Sequence, residues 1–333
     1  MPQLKPTVSV IVPCYNEADT IQLLLKAILE QDFPINKLEV VIADAQSQDG
    51  TDQKIAEFIK QHPELSVNVV DNPKRTIPAA VNAAAAASKG TYLLRLDAHS
   101  MPYPNYISIC IRELEAGKGS NVGGVWEIKP GAKTPVARAI AAAAANPLAV
   151  GDARYRYSSQ PGEVDTVPFG SFQRTLFFGI GGFDETLLTN EDYEFNVRIR
   201  KKGGKIWFNP EIRCVYFARK NLWELAEQYW RYGYWKFQML KRYPTTLRWR
   251  QALPPVFVIF NILGIIFSVF SPWIATGYLC VLGLYVLILL AAGIREAMKA
   301  REGTQMLLLP AAIMTMHFAW GSGFLFSTIL RNN

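Results

Sequence analysis

The chain has 333 residues, half of them hydrophobic, with 35 lysines and arginines against 28 acids for a net charge of +7. That length exceeds one small core and fits one domain plus an additional part, while Cys14, Cys110, Cys214 and Cys280 form no C-x-x-C pair and so argue against a zinc ribbon or a disulfide framework. The charge suits an anionic membrane surface and anionic substrates; no nucleic acid is expected, because the basic residues gather beside apolar runs rather than in a recognition motif.

Residues 1–7 lead directly into a strand, without the basic start, apolar stretch and small-residue site of a signal peptide. Residues 8–12 are a β-branched run ending at Pro13, and residues 18–31 carry Ile21, Leu24, Leu25, Ile28 and Leu29 at helical spacing. Residues 38–43 form a second strand closed by Asp44, and Asp49-Gly50-Thr51 opens a helix running to about Gln61. Residues 67–70 form a third strand, 77–88 an alanine-rich helix and 91–96 a fourth strand. Strands alternating with helices predict an α/β domain with a mostly parallel sheet covered on both faces.

In such sheets ligands bind beyond the carboxyl ends of the strands, where Tyr15, Asn16, Glu17, Asp44, Asp97 and His99 all fall. Neither a G-x-G-x-x-G fingerprint nor a P-loop follows the first strand, so a nucleotide there would be held by side chains and a metal. Asp97 and His99, two residues apart past a strand, can share one divalent ion.

Further along, the alanine run 139–145 predicts a helix. Residues 222–250 mix aromatic and basic side chains, as a helix lying at a membrane surface does. No Asp, Glu, Lys or Arg occurs in 251–294 or in 303–330. With about 20 apolar residues per span and a break at Ser271-Pro272-Trp273, these runs predict transmembrane helices near 252–271, 273–294 and 306–330. Lys236, Lys241, Arg242, Arg248 and Arg250 before the first span, and the basic 295–301 link, place the amino-terminal part in the cytosol of a multi-pass protein of the cytoplasmic membrane. The expected division is a catalytic domain over 1–235, an interfacial segment over 222–250 and a membrane domain over 251–333.

Val10-Ile11-Val12-Pro13-Cys14-Tyr15-Asn16-Glu17, Asp44-Ala45-Gln46-Ser47-Gln48-Asp49-Gly50-Thr51 and Asp97-Ala98-His99 occur in an order and spacing that resemble the family 2 glycosyltransferases of GT-A fold, over roughly residues 7–235. The Asp-Ala-His triplet, residues 146–151 and Gln228-Tyr229-Trp230-Arg231-Tyr232-Gly233 are similar to the succinoglycan-type membrane glucosyltransferases that extend a lipid-linked sugar. The resemblance implies Pro13, Tyr15, Glu17 and Asp44 around a uracil, since a carboxylate accepts from the imide N–H and an aromatic face covers the ring. Asp49 fits the same loop and equally the cap of the helix that follows. Arg75 stands where the family places a cation near the nucleotide phosphates, although Lys74 and Arg75 also suit a solvated turn. The family triplet is usually Asp-x-Asp; Asp97 with His99 still implies Mn²⁺ or Mg²⁺, and the imidazole favours Mn²⁺.

Glu191-Asp192 matches the family's Glu-Asp motif, which implies Asp192 as the base that takes the proton from the acceptor hydroxyl, with Glu191 orienting the acceptor. Read on their own, Glu191, Asp192 and Glu194 suit the first turn of a helix. One base and direct displacement imply inversion. Residues 169–172 and 179–184 resemble the loop that closes the donor pocket, and Arg154, Arg156, Gln228 and Arg231 are the expected contacts to a polyprenyl (di)phosphate-linked acceptor among membrane lipids. Gln228-x-x-Arg231 is similar to the Q-x-x-R-W of processive synthases, but Tyr232 replaces the tryptophan, which argues against a polymer channel. The expected activity is transfer of a hexose, glucose by resemblance, from a UDP-sugar donor to a lipid-linked saccharide in exopolysaccharide or cell-surface glycan synthesis. A polyprenyl-phosphate sugar synthase and a catalytically silent, nucleotide-sugar-binding membrane scaffold are the alternatives.

Overall fold

The computed structural model describes residues 6–151 and 153–329, apart from the Arg154 side chain. Its contacts divide the chain into two units, one of the residues up to Glu127 with Arg154–Tyr216, the other of Ile128–Ala153 with the residues from Phe217 on. Ile128–Ala153 therefore packs with the apolar carboxyl-terminal helices, although it falls inside the 1–235 region defined from sequence.

In the first unit β1 (Val8–Cys14), β2 (Leu38–Asp44), β3 (Ser66–Asp71) and β4 (Tyr92–Arg95) alternate with α1 (Ile21–Leu29), α2 (Thr51–Gln61) and α3 (Ile77–Ala87). Then follow β5 (Met101–Pro102), α4 (Tyr106–Glu115) and β6 (Asn121–Lys129). The order of the sheet is β3-β2-β1-β4 and then, with β8 (Ser171–Gln173) and β9 (Ile206–Phe217), β8-β6-β9-β5, while β7 (Gly162–Glu163) pairs with β9. The four sequence-predicted strands are the parallel ones. β8 runs antiparallel to β4 and β6, and β5 and β7 antiparallel to β9. Helix α1 starts at Ile21, three residues later than its apolar spacing suggests, because Thr20 and Ile21 donate to the Glu17 carbonyl in a turn.

Register sets the site. Cys14 pairs with Asp44 and Asp44 with Asp71, so the loops after β1, β2 and β3 leave the sheet at one level. β4 ends opposite Ile11, which draws Asp97 and His99 back alongside residues 13–17. Apolar side chains fill both faces of the sheet, with α1, α2 and α4 on one and α3, Phe172, Phe177, Phe183 and Phe195 on the other, as a sheet covered on both faces requires. Cys14, Cys110 and Cys214 are buried and unpaired, and burial pushes the Cys110 thiol up to about 12, so these are structural thiols.

The second unit holds α5 (Pro135–Ala144), α6 (Pro147–Val150), α9 (Leu222–Arg242), α10 (Trp249–Ser268), α11 (Pro272–Ala300) and α12 (Gln305–Ile329). α7 (Arg174–Gly179) and α8 (Glu191–Lys201) belong to the first unit. α10, α11 and α12 are each long and apolar enough to cross a membrane, at 20, 29 and 25 residues. α11 runs past the predicted end at 294 because Arg295, Glu296 and Lys299 continue the helix beyond its apolar part. Ile140, Ala141 and Ala143 of α5 and Leu225 and Tyr229 of α9 form a core with Leu309, Ile313 and Met316 of α12. Alanine suits α5 for this reason as well as for propensity, since small side chains let helices approach closely.

Candidate active site

The loops after β1 and β2 lock together through side chains. The Asp44 carboxylate accepts from the Ser47 backbone N–H at 2.9 Å and from its hydroxyl at 2.6 Å, and Ser47 Oγ accepts from Asn16 N at 2.8 Å. Asn16 Oδ1 in turn accepts from Gln48 N at 2.9 Å. Asp49 takes the Thr51 N–H and hydroxyl at 3.1 and 2.5 Å and the Ala18 N–H at 3.1 Å. Asp49 thus organises the start of α2 and ties it to the first loop, and its hydrogen bond from Thr51 holds its carboxyl below the usual range. Tyr15 is half exposed beside this frame and Pro13 is partly buried in β1.

Backbone strain gathers at the same edge. Asn16, Gln46 and Arg75, after the three parallel strands β1, β2 and β3, have φ of 54°, 60° and 52°, and Phe169 and Asn190 have 63° and 66°. A left-handed conformation costs an ordinary residue about 1 to 2 kcal/mol, a cost that Gln46, Arg75 and Phe169 bear and that asparagine largely escapes. Arg75 donates to Gln46 Oε1 at 3.0 Å, which joins two of them. Its neighbour Lys74 is ion-paired to Glu185 at 2.6 Å, and Asn82 bonds Phe183 and Glu185, so the 179–186 loop is fastened to the loop after β3 and to α3.

Two groups meet at the end of β4. His99 Nδ1 lies 2.8 Å from Glu17 Oε1, while the Thr20 hydroxyl donates to Glu17 Oε2. This carboxylate favours the tautomer with the proton on Nδ1, which leaves the lone pair on Nε2. Arg95, almost fully buried, donates from Nε to Asp97 Oδ1 at 3.1 Å and from Nη1 to Glu191 Oε1 at 3.0 Å. One guanidinium therefore holds the triplet Asp and the Glu-Asp pair together.

Glu191 and Asp192 open α8 behind Asn190, and Tyr193 donates its backbone N–H to Asp192 Oδ1 at 2.7 Å. Burial raises both carboxyls above the usual range, and the charge of Arg95 opposes the rise. Glu194 serves otherwise, since it forms a bidentate pair with Arg198 at 2.7 Å, and Arg198 also donates to the carbonyls of Ile180 and Gly182. Glu194 is a structural acid that holds the glycine loop.

Arg156 lies 5.3 Å over the Trp126 ring, and Trp126 stacks on Tyr216 at 4.2 Å and 5° with Tyr155 edge-on at 5.5 Å. The Tyr216 ring is 6.4 Å from that of His99. Arg154 lies outside the described side chains. Gln228, which donates to the Tyr232 hydroxyl at 3.0 Å, and the exposed Arg231 are on α9 in the other unit. Sequence reading missed Arg95, Trp126 and Tyr216. The only signal for Arg95 was a cation standing inside an otherwise apolar strand, a position that a charge occupies only with partners.

Among the described residues no three His, Cys, Asp or Glu side chains are gathered to hold a metal. Asp97 and His99 offer one carboxylate and one imidazole.

The glycosyl transferase family 2 model matches residues 9–177, half of the chain. The chain belongs to glycosyl transferase family 2. Two relatives match it over nearly its whole length. The succinoglycan biosynthesis protein ExoA of Rhizobium meliloti is 29% identical over 95% of this chain and 93% of its own. A dolichyl N-acetyl-alpha-D-glucosaminyl phosphate 3-beta-D-2,3-diacetamido-2,3-dideoxy-beta-D-glucuronosyltransferase of Methanococcus voltae is 27% identical over 98% of each. The mannosyltransferase PcManGT of Pyrobaculum calidifontis, solved with GDP-Man and Mn²⁺, superposes with a TM-score of 0.57 at 23% identity, covering 95% of this chain and 88% of that one. The first unit is thus a GT-A domain, and this family 2 glycosyltransferase is related to enzymes of succinoglycan synthesis and lipid-linked sugar transfer.

Proposed function

We propose that this family 2 enzyme is an inverting, metal-dependent hexosyltransferase moving one sugar, glucose by its kinship, from a UDP-sugar to a polyprenyl (di)phosphate-linked saccharide at the cytosolic face of the membrane. The observation that carries the reading is Arg95, which joins Asp97 on the donor side to Glu191 beside Asp192 on the acceptor side. A displacement needs those two ends held at fixed separation, and a buried guanidinium fork does that with little freedom. Asp192 takes the proton from the attacking hydroxyl, and Glu191 orients the acceptor. Pro13, Tyr15 and Asp44, with Asp49 bracing the loop, bound the uracil; Arg75 faces the phosphates, and Arg156 receives the acceptor's phosphate.

Asp97 and His99 fit a divalent ion. Two protein donors suffice when diphosphate oxygens and water complete the shell, and Mn²⁺ accepts a mixed oxygen and nitrogen set. Bound there, the ion neutralises charge on the leaving diphosphate. Glu17 takes the role of orienting His99 rather than reading the base. Such a carboxylate behind a ligating imidazole typically accounts for about 10- to 100-fold in metal affinity. Glu17→Gln is therefore expected to weaken Mn²⁺ binding in the presence of UDP by about that factor, read by titration with the metal's paramagnetic signal. Unchanged affinity would remove Glu17 from this role.

The deciding experiment is transfer of labelled sugar from a panel of UDP-hexoses into the organic extract of membranes containing the protein, with and without Mn²⁺. Manganese-dependent label in a pyrophosphate-linked glycolipid is expected. Label in a mild-acid-labile monosaccharide phospholipid would mean a polyprenyl-phosphate sugar synthase, and nucleotide binding without transfer would mean a scaffold.

A further inference from the structure

α10 and α11 form an antiparallel hairpin. Phe257 packs on Tyr285 at 4.5 Å, Phe260 on Tyr278 at 5.5 Å, and Asn261 accepts from the Tyr278 hydroxyl at 3.1 Å. Past these contacts the hairpin is apolar and exposed, through Ile265, Phe267, Val269, Phe270 and Trp273. α10, at 20 residues, is about 30 Å long, the thickness of a bilayer's hydrocarbon core. Its base is charged on both arms, with Arg248 and Arg250 on one and Arg295, Lys299 and Arg301 on the other.

α12 does not follow the hairpin into that apolar region. It starts beside the base of α11, where Gly293 lies against the Met306 carbonyl, and leaves α11 near Tyr285, whose hydroxyl is 2.9 Å from His317. A third span parallel to α10 would meet its deeper residues in turn. Instead Phe318 meets Phe257, Trp320 donates to the Gln251 carbonyl at 3.2 Å, and Gly321 lies on Pro254 and Val258, so α12 passes across the first turns of α10. Its last turns lie along α9: Gly323 rests on the Trp230 carbonyl, Phe324 on Phe237 at 5.3 Å, and Ser327 accepts from Gln238 at 2.8 Å.

The partner helix decides the matter. α9 carries Glu224, Glu227, Arg231, Lys236, Lys241 and Arg242, with Arg231 exposed midway along the stretch that accompanies α12. A crossing α12 would carry those charges into hydrocarbon, where ionised side chains are rare and expensive. The amino end of α12 is likewise tied to polar structure, since Glu302 forms a bidentate pair with Arg138 of α5 at 2.8 Å and Gln305 donates to the Pro135 carbonyl.

We propose that only the α10–α11 hairpin crosses the bilayer, while α12 lies across its base with α9 at the interface, so that Ile329 ends on the face from which α10 enters. It departs from the three-span expectation drawn from composition, which sees apolarity but not the direction of a helix. It is independent of the reaction assigned above. The test uses the full chain with a hydrophilic epitope tag after Asn333, in right-side-out and inverted vesicles, with Lys241→Cys and Phe270→Cys as markers for an impermeant maleimide. Protease should remove the tag completely only in the preparation that labels Lys241→Cys, and Phe270→Cys should label only in the opposite one. Removal of the tag from the Phe270 side would restore three spans and overturn the proposal. A Phe270→Cys unlabelled from that side would show that the hairpin does not cross, overturning it equally.

Discussion

Asp192→Asn is expected to lower sugar transfer by about 10²- to 10⁴-fold, the usual worth of a positioned general base, while leaving UDP-sugar affinity within a few-fold of wild type. Asparagine keeps an acceptor for the Tyr193 N–H, so the turn that opens α8 survives. Its second consequence separates this role from a structural one. Burial raises the Asp192 carboxyl, and with it that of Glu191, so the folded state holds these protons more tightly than the unfolded chain. Stability from the two groups is fully present below the ordinary carboxylate range near pH 4 and is lost as pH rises through the raised values. Activity runs the other way, because a base must be ionised to accept a proton. Wild-type kcat should fall tenfold per pH unit below the raised value, and Asp192→Asn should melt higher than wild type at neutral pH, with the gap closing as pH falls. Retained activity, or a variant less stable at neutral pH, would mean that Asp192 serves the fold.

Only some parts of the site can be read from a linear sequence. The four parallel strands, the loops at their carboxyl ends and the triplet Asp97-Ala98-His99 are legible because each is local: β-branched runs, helical spacing and a turn acid adjoin in the chain. The antiparallel half was not: β5, β7 and β8 have two or three residues each, too few for any period to register, and the longer β6 and β9 carry Gly123-Gly124 and Asn209-Pro210, which read as breaks in a strand. Glu17 illustrates the intermediate case. Its place after β1 was evident, but its partner, His99, is 82 residues away, and only the early end of β4 brings the two together. The path of α12 was invisible for another reason: its sequence is apolar all round, and what keeps it across the hairpin's base is contact with the charged α9, which composition cannot show.

Removing the Arg95 side chain, which ties the two sides of the site, should have the largest structural effect. Arg95→Met is expected to cost about 3 to 5 kcal/mol in unfolding free energy, the range for breaking a buried ion pair, because Asp97 and Glu191 then keep their burial without the guanidinium. Arg95 holds the carboxyls of Glu191 and Asp192 down against burial, so its loss moves both further up and shifts the acidic limb of kcat to higher pH. Arg95→Lys should fall between the two in stability, since an ammonium restores charge but cannot bridge two carboxylates with a rigid fork. Adding Glu191→Gln to Arg95→Met removes one stranded charge and should recover part of the lost stability without recovering activity, a coupling that a double-mutant cycle in denaturant reads directly. An Arg95→Met enzyme with the wild-type pH profile, however unstable, would show that Arg95 packs the site without positioning its base.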